Sequence, residues 1–141
     1  MVGAADRRVA LVSIHPRHAN AILDGTKQFE FRRAAYPAES RYVVIYATAP
    51  VQRVIGWFEI DMIERGSPST LWRRFGPLGA IDRETFRRYY RACPVGAAIR
   101  VRGPVRLEDP MPLAALESSL KPPQSFQYLS ASAAAAVGIP G

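Results

Sequence analysis

Gly25-Thr26-Lys27-Gln28-Phe29-Glu30-Phe31-Arg32-Arg33 is the stretch on which the fold of this chain turns. It follows a segment, Pro16 to Asp24, in which Ala19, Ile22 and Leu23 recur at helical spacing and Pro16 suits the first turn. Gly25 is placed to end that helix in a left-handed conformation. Beyond it the period drops to two, so Phe29 and Phe31 point to one face of a strand and Gln28, Glu30 and Arg32 to the other. The stretch therefore predicts a helix, a glycine turn and a strand with one core face and one polar face, with Lys27 at the junction.

Upstream, Val9 to Ile14 reads as a short buried strand. Downstream, Tyr42 to Thr48 is apolar on both faces, as expected of a central strand, and Arg53 to Ile63 forms a long strand in which Gly56 marks a bend or a close backbone approach. Ser67-Pro68 opens a short helix that closes near Arg73, Arg74 and Gly76. Asp82 caps a second, Arg83 to about Ala92, with Ile81 and Phe86 as a hydrophobic staple. Ala97 to Val101 and Val105 to Leu107 are one interrupted strand or two, broken at Gly103-Pro104, and the proline places the last strand at an edge. Pro110 to Leu120 holds one helical turn. The expected organisation is a flexible segment 1–8, one domain 9–129 and an alanine-rich helix or tail 130–141. The class is α+β, a small curved or partly closed sheet of five or six strands with flanking helices.

Composition narrows the function. A chain of 141 residues fits one domain, and 48% hydrophobic with 22% charged residues is ordinary for a globular protein. The formal net charge is +7, and Lys27 and Lys121 are the only lysines among 19 basic residues. Such a charge favours a polyanionic partner, although an Ala-, Arg-, Gly- and Pro-rich composition also raises arginine for reasons unrelated to function. The single cysteine, Cys93, excludes an internal disulfide framework and a multi-cysteine zinc site. His15 and His18 are too few to bind a metal unaided, and His15 suits a helix cap. No metal and no cofactor are expected. Met1 to Arg8 lacks the apolar run of a signal peptide, and no stretch approaches the roughly 20 apolar residues of a membrane span, so the expectation is a cytoplasmic protein.

Gly25, Lys27, Glu30 and Arg32 fit the spacing G-x-K-x-x-E-x-R, which resembles the signature of the ASCH family. Ser13-Ile14-His15-Pro16 precedes it, and Tyr46-Ala47-Thr48-Ala49-Pro50, Val54-Ile55-Gly56-Trp57-Phe58 and Pro122-Pro123-Gln124-Ser125-Phe126 extend the likeness over roughly residues 9–129. The resemblance implies a PUA-like β-barrel of bacterial type with a cleft near the first helix and the lysine-bearing turn. It also implies a role in binding RNA, DNA or a modified nucleoside. Some relatives hydrolyse acetylated cytidine with a threonine three residues after the signature lysine, where this chain has Glu30.

The residues themselves point to the same place. Glu30 can accept from a base amino group, and Arg32 or Lys27 can meet a phosphate or a base carbonyl, arginine doing so bidentately. Arg33, Tyr46, Thr48 and Ser125 are the further candidates, Tyr46 as a stacking platform and Thr48 and Ser125 as hydroxyls lining the cleft. Arg83, Arg87 and Arg91 recur every four residues and form a basic stripe. A surface ion pair at Lys27, Glu30 and Arg32, worth about 0–1 kcal/mol, is the bland alternative. The reading is a binding module for nucleic acid or a modified nucleotide, with a ribonuclease or nucleoside hydrolase using Lys27 and Glu30 as the alternative.

Overall fold

The computed structural model describes residues 6–34, 36 and 39–141, leaving out the side chains of 6 and 7. The chain runs through β1 (Asp6–Ile14), α1 (Pro16–Asp24), β2 (Phe29–Arg32), β3 (Tyr42–Ala47) and β4 (Arg53–Gly66). It continues through α2 (Pro68–Phe75), a 3-10 turn (Gly76–Leu78), α3 (Arg83–Tyr89), β5 (Gly96–Met111), α4 (Leu113–Leu116), β6 (Phe126–Leu129) and α5 (Ala131–Ala136). Of the segment expected to be flexible, residues 1–5 lie outside the described residues, and Asp6 already opens β1.

Helix α1 has the bounds its sequence signals set: Pro16 stands at its start and Gly25 closes it at φ +91°, its N–H donating to Ile22 O at 3.2 Å. In β2, Phe29 and Phe31 pack with Leu71, Phe75, Phe86 and Tyr90 beneath α2 and α3. Glu30 and Arg32 take the opposite side.

One mixed sheet carries the strands in the order β2-β5-β4-β3-β1-β6. Among the described strands only β1 and β3 run parallel, with Ser13 opposite Tyr46. One sheet face is covered by α1, whose Ala19, Ile22 and Leu23 meet Val12, Ile14, Val43 and Ile45. On the other face α4 and α5 cover Val9, Leu11, Val44 and Tyr46. The alanine-rich segment is α5, and its Ala133 and Ala134 are buried with Val137 and Ile139.

The strand number lies within the expected range, but the sheet is open rather than a barrel. Its terminal strands β2 and β6 have four residues each; β2 pairs only with β5 and β6 only with β1. Curvature comes instead from bulges, at Ile45/Tyr46 against β4 and at three places between β4 and β5. Gly56 serves the close approach, because a Cβ there would stand 2.5 Å from Val105 O and 2.6 Å from a Leu23 methyl. The expected break at Gly103-Pro104 is also corrected. β5 is one continuous strand inside the sheet, and Pro104 is tolerated because the ladder shifts register between Trp57↔Val105 and Glu59↔Arg102. No helix among the described residues is long and apolar enough to cross a membrane.

Candidate functional site

The turn after α1 delivers Lys27 to the interior. Asp24 Oδ1 accepts from the Thr26 N–H at 2.9 Å and from its hydroxyl at 2.7 Å, and the Lys27 N–H donates back to Ala21 O at 3.0 Å. The side chain then runs inward and is only 2% exposed. Its Nζ donates to Gly79 O at 2.5 Å, stands 3.9 Å from Glu30 Oε1 and lies 5.4 Å from the Phe31 ring centroid. A lysine so placed is not a solvated surface charge.

Glu30, also buried, accepts from Arg32 Nη1 through Oε2 at 3.2 Å. One carboxylate thus stands between two cations, and the trio carries a net positive charge. Burial pushes the Lys27 ammonium below its ordinary value; Glu30 opposes this and Arg17 adds to it. The bland reading of a solvated ion pair does not describe these groups.

These side chains line a cleft of about 230 Å³ together with Ser13, His15 and His18 from the β1–α1 junction and Ile81, Thr85 and Tyr89 from the α3 side. Drug-sized ligands occupy about 300–1,000 Å³, so this space suits one base or one phosphate group. His18 is half-buried, and its Nδ1 is buried without a hydrogen-bond partner among the described residues. Burial, then the Lys27 charge, lowers its pKa, with Glu30 pulling the other way. A neutral imidazole with an uncommitted nitrogen beside a shielded ammonium is equipped to exchange a proton. Among the described residues, no three His, Cys, Asp or Glu side chains stand together as metal ligands.

Lys27, Glu30 and Arg32 are brought together; the other sequence candidates lie elsewhere. Arg33 is exposed and tied to the end of α3, its Nε donating to Tyr89 O at 2.9 Å and its guanidinium 4.8 Å from the Tyr89 ring centroid. Tyr46 is buried in the core under α4 and α5, on the sheet face opposite α1. Thr48 follows β3, its N–H donating to Ile14 O at 3.1 Å, and Ser125 is exposed just before β6. They nevertheless share one end of the sheet with the cleft: Ser13 lines the cleft, pairs in register with Tyr46, and donates its hydroxyl to Pro123 O at 2.7 Å.

His18 and Thr85 line the cleft without having been expected there, and so does Tyr89, one of several aromatic residues able to stack on a base but expected in the core. For His18 the signal was present, since it stands four residues before Ile22 and borders the Ala19–Ile22–Leu23 face of α1. His15 does cap the helix, accepting weakly from the Arg17 N–H at 3.3 Å. Thr85 and Tyr89 arrive through the docking of α3, which no local pattern encodes.

The sequence model of the ASCH domain matches residues 12–105. A Zymomonas mobilis protein named ASCH domain-containing ribonuclease is 35% identical over 132 residues, covering 92% of this chain and 89% of that protein. The crystal structure of ASCH from Zymomonas mobilis matches with a TM-score of 0.85 at 33% identity, over 92% of this chain and 93% of that chain. A serine-to-alanine variant of the Zymomonas mobilis protein matches at 0.85 and 32% identity, over 94% of this chain and 95% of that one. The N-terminal domain of Staphylothermus marinus McrB shares the fold alone, with a TM-score of 0.60 at 10% identity over 97% of this chain and 95% of that one. By sequence and by structure, the chain belongs to the ASCH domain family.

Proposed function

We propose that this chain binds RNA and cleaves it, with one nucleotide held in the Lys27–Glu30–Arg32 cleft. The observation that carries the reading is the buried Lys27 ammonium, which shares the Glu30 carboxylate with Arg32 and lines one cleft with His18. The 35% identical relative named a ribonuclease supports the reaction class.

Strand cleavage of RNA needs a base for the 2′-hydroxyl, a cation for the charge developing on the phosphoryl oxygens and an acid for the departing 5′-oxygen. In this proposal neutral His18 takes the 2′-hydroxyl proton, and that oxygen forms its bond to phosphorus as the bond to the 5′-oxygen breaks. Arg32 meets the phosphoryl oxygens, and Lys27, its pKa lowered by burial, gives its proton to the leaving oxygen. The products are a 2′,3′-cyclic phosphate and a 5′-hydroxyl. DNA, lacking the 2′-hydroxyl, is not cut.

A second reading has its own support. Lys27 is already engaged by Gly79 and Glu30, and a lysine serving only as an internal clamp would leave a cleft that binds RNA without turnover. Mass analysis of a defined single-stranded RNA and its DNA counterpart after incubation separates the two. Cyclic-phosphate fragments from RNA alone, reduced about 100-fold or more in Lys27→Met and His18→Asn, are the expected result. Intact RNA that is nonetheless bound would replace the ribonuclease with the binding module.

A further inference from the structure

A second concavity, larger than the Lys27 cleft, is a groove of about 770 Å³ between α2 and α3. Its floor is aromatic: Trp72 is half-buried beside Phe86, their ring centroids 5.0 Å apart, and Tyr90 continues the wall. Gly76 is required beneath it, since a Cβ there would stand 2.7 Å from the Trp72 ring.

Arg73, Arg83 and Arg87 rim this floor, and all three are exposed. None forms an ion pair within the described residues, whereas Arg74, next to Arg73, is taken up by Glu64. Of the two carboxylates adjacent to Arg83 in sequence, Asp82 is committed to the Thr85 N–H and hydroxyl at 2.9 Å each, and Glu84 is exposed and forms no ion pair among the described residues. Three unpaired guanidinium groups around an aromatic floor complement a ligand with both negative charge and flat apolar faces. A single-stranded nucleic acid offers both at every residue.

The groove also has a fixed relation to the cleft. Thr85 and Tyr89 line the cleft, while Arg83, Phe86, Arg87 and Tyr90 line the groove, so α3 is the wall between them. A helix with its side chains is about 10–12 Å across, a short distance for a polynucleotide to span. Resting on the reading of the cleft as an RNA site, we propose that the α2–α3 groove is an extended subsite for the same strand. Arg73, Arg83 and Arg87 hold flanking phosphates there, and Trp72 carries a flanking base. The cleft acts on one nucleotide, and the groove gives preference for longer RNA.

The test compares a dinucleotide with a dodecanucleotide RNA, using wild type, Lys27→Met and the triple variant Arg73→Ala/Arg83→Ala/Arg87→Ala. The three arginines are exposed, so the triple variant keeps its core intact. It should bind the dodecanucleotide at least about tenfold more weakly, with a log–log salt slope smaller by about 2, while its dinucleotide binding stays at the wild-type level. Trp72 supplies a local reporter: Trp57→Phe leaves it as the only tryptophan of two, and the dodecanucleotide should quench its emission where inorganic phosphate does not. A triple variant matching wild type on the dodecanucleotide, with Lys27→Met still impaired, overturns the groove and leaves the cleft standing. Wild type that binds neither RNA overturns both. Poly-glutamate binding as tightly as RNA without quenching Trp72 overturns the RNA assignment in favour of an acidic protein partner.

Discussion

Glu30 accepts from Arg32 at 3.2 Å through one carboxylate oxygen while the other stands 3.9 Å from Lys27 Nζ, so a single buried carboxylate holds two cations. Removing it strands both. Breaking a buried pair by deleting one partner costs about 3–5 kcal/mol, and the Gly79 carbonyl remaining to Lys27 sets the expected loss for Glu30→Gln near the lower end. Urea unfolding measures this, and a change below about 1 kcal/mol would mean that the trio behaves as a solvated ion pair.

Lys27 should leave a pH signature. Burial lowers its folded-state pKa below the 10.5 of the free side chain. Between the folded and unfolded values the unfolded chain binds more protons, so the stability contributed by Lys27 rises with pH and is complete above about 10.4. It is lost as pH falls through the folded value. The stability of wild type relative to Lys27→Met should therefore increase on going from neutral to alkaline pH, and a difference that stays flat would contradict the burial.

His18 titrates in the same direction at lower pH. Its folded pKa lies below 6.5, chiefly through burial and then the Lys27 charge. Its contribution to stability is present above about 6.5 and lost as pH falls through the folded value. Imidazole resonances followed by NMR should place the His18 midpoint below 6.5, and Glu30→Gln should lower it further, because Glu30 pulls it upward. A midpoint unmoved by that substitution would place His18 away from the carboxylate.

Gly79 ties the 3-10 turn to the cleft. Its carbonyl accepts from Lys27, and a Cβ on it would stand 2.3 Å from Phe31 Cε2. Gly79→Ala should cost about 1–3 kcal/mol through displacement of Phe31. It should also disturb the Lys27 contact, so the alkaline stability signature weakens with it. Wild-type thermal unfolding in this variant would show that Phe31 yields freely.

What the sequence made legible was local. Pro16 and Gly25 bound α1, and the alternation from Phe29 to Arg32 correctly put Glu30 and Arg32 on one face, because caps and strand periodicity depend only on near neighbours. That the polar face is buried was not legible, since the Lys27 environment is built by Gly79 and by α3 far along the chain. Closure into a barrel was expected and is absent because it depends on the reach of the short β2 and β6, which their own sequences do not state. Pro104 read as an edge signal, but a register shift with β4 accommodates it inside the sheet. Tyr46 stands in a strand buried at all six positions, so pattern alone could not tell which aromatic side chains reach a cleft.

The central claim is that RNA enters the cleft between α1, β2 and α3. Titration of isotope-labelled protein with a short single-stranded RNA, read by NMR, addresses it residue by residue. Saturable shifts of the Lys27, Glu30 and Arg32 amides and of the His18 imidazole are predicted, with Tyr46 and the α5 residues unmoved. RNA binding that shifts resonances elsewhere while those four groups stay in place would contradict the account.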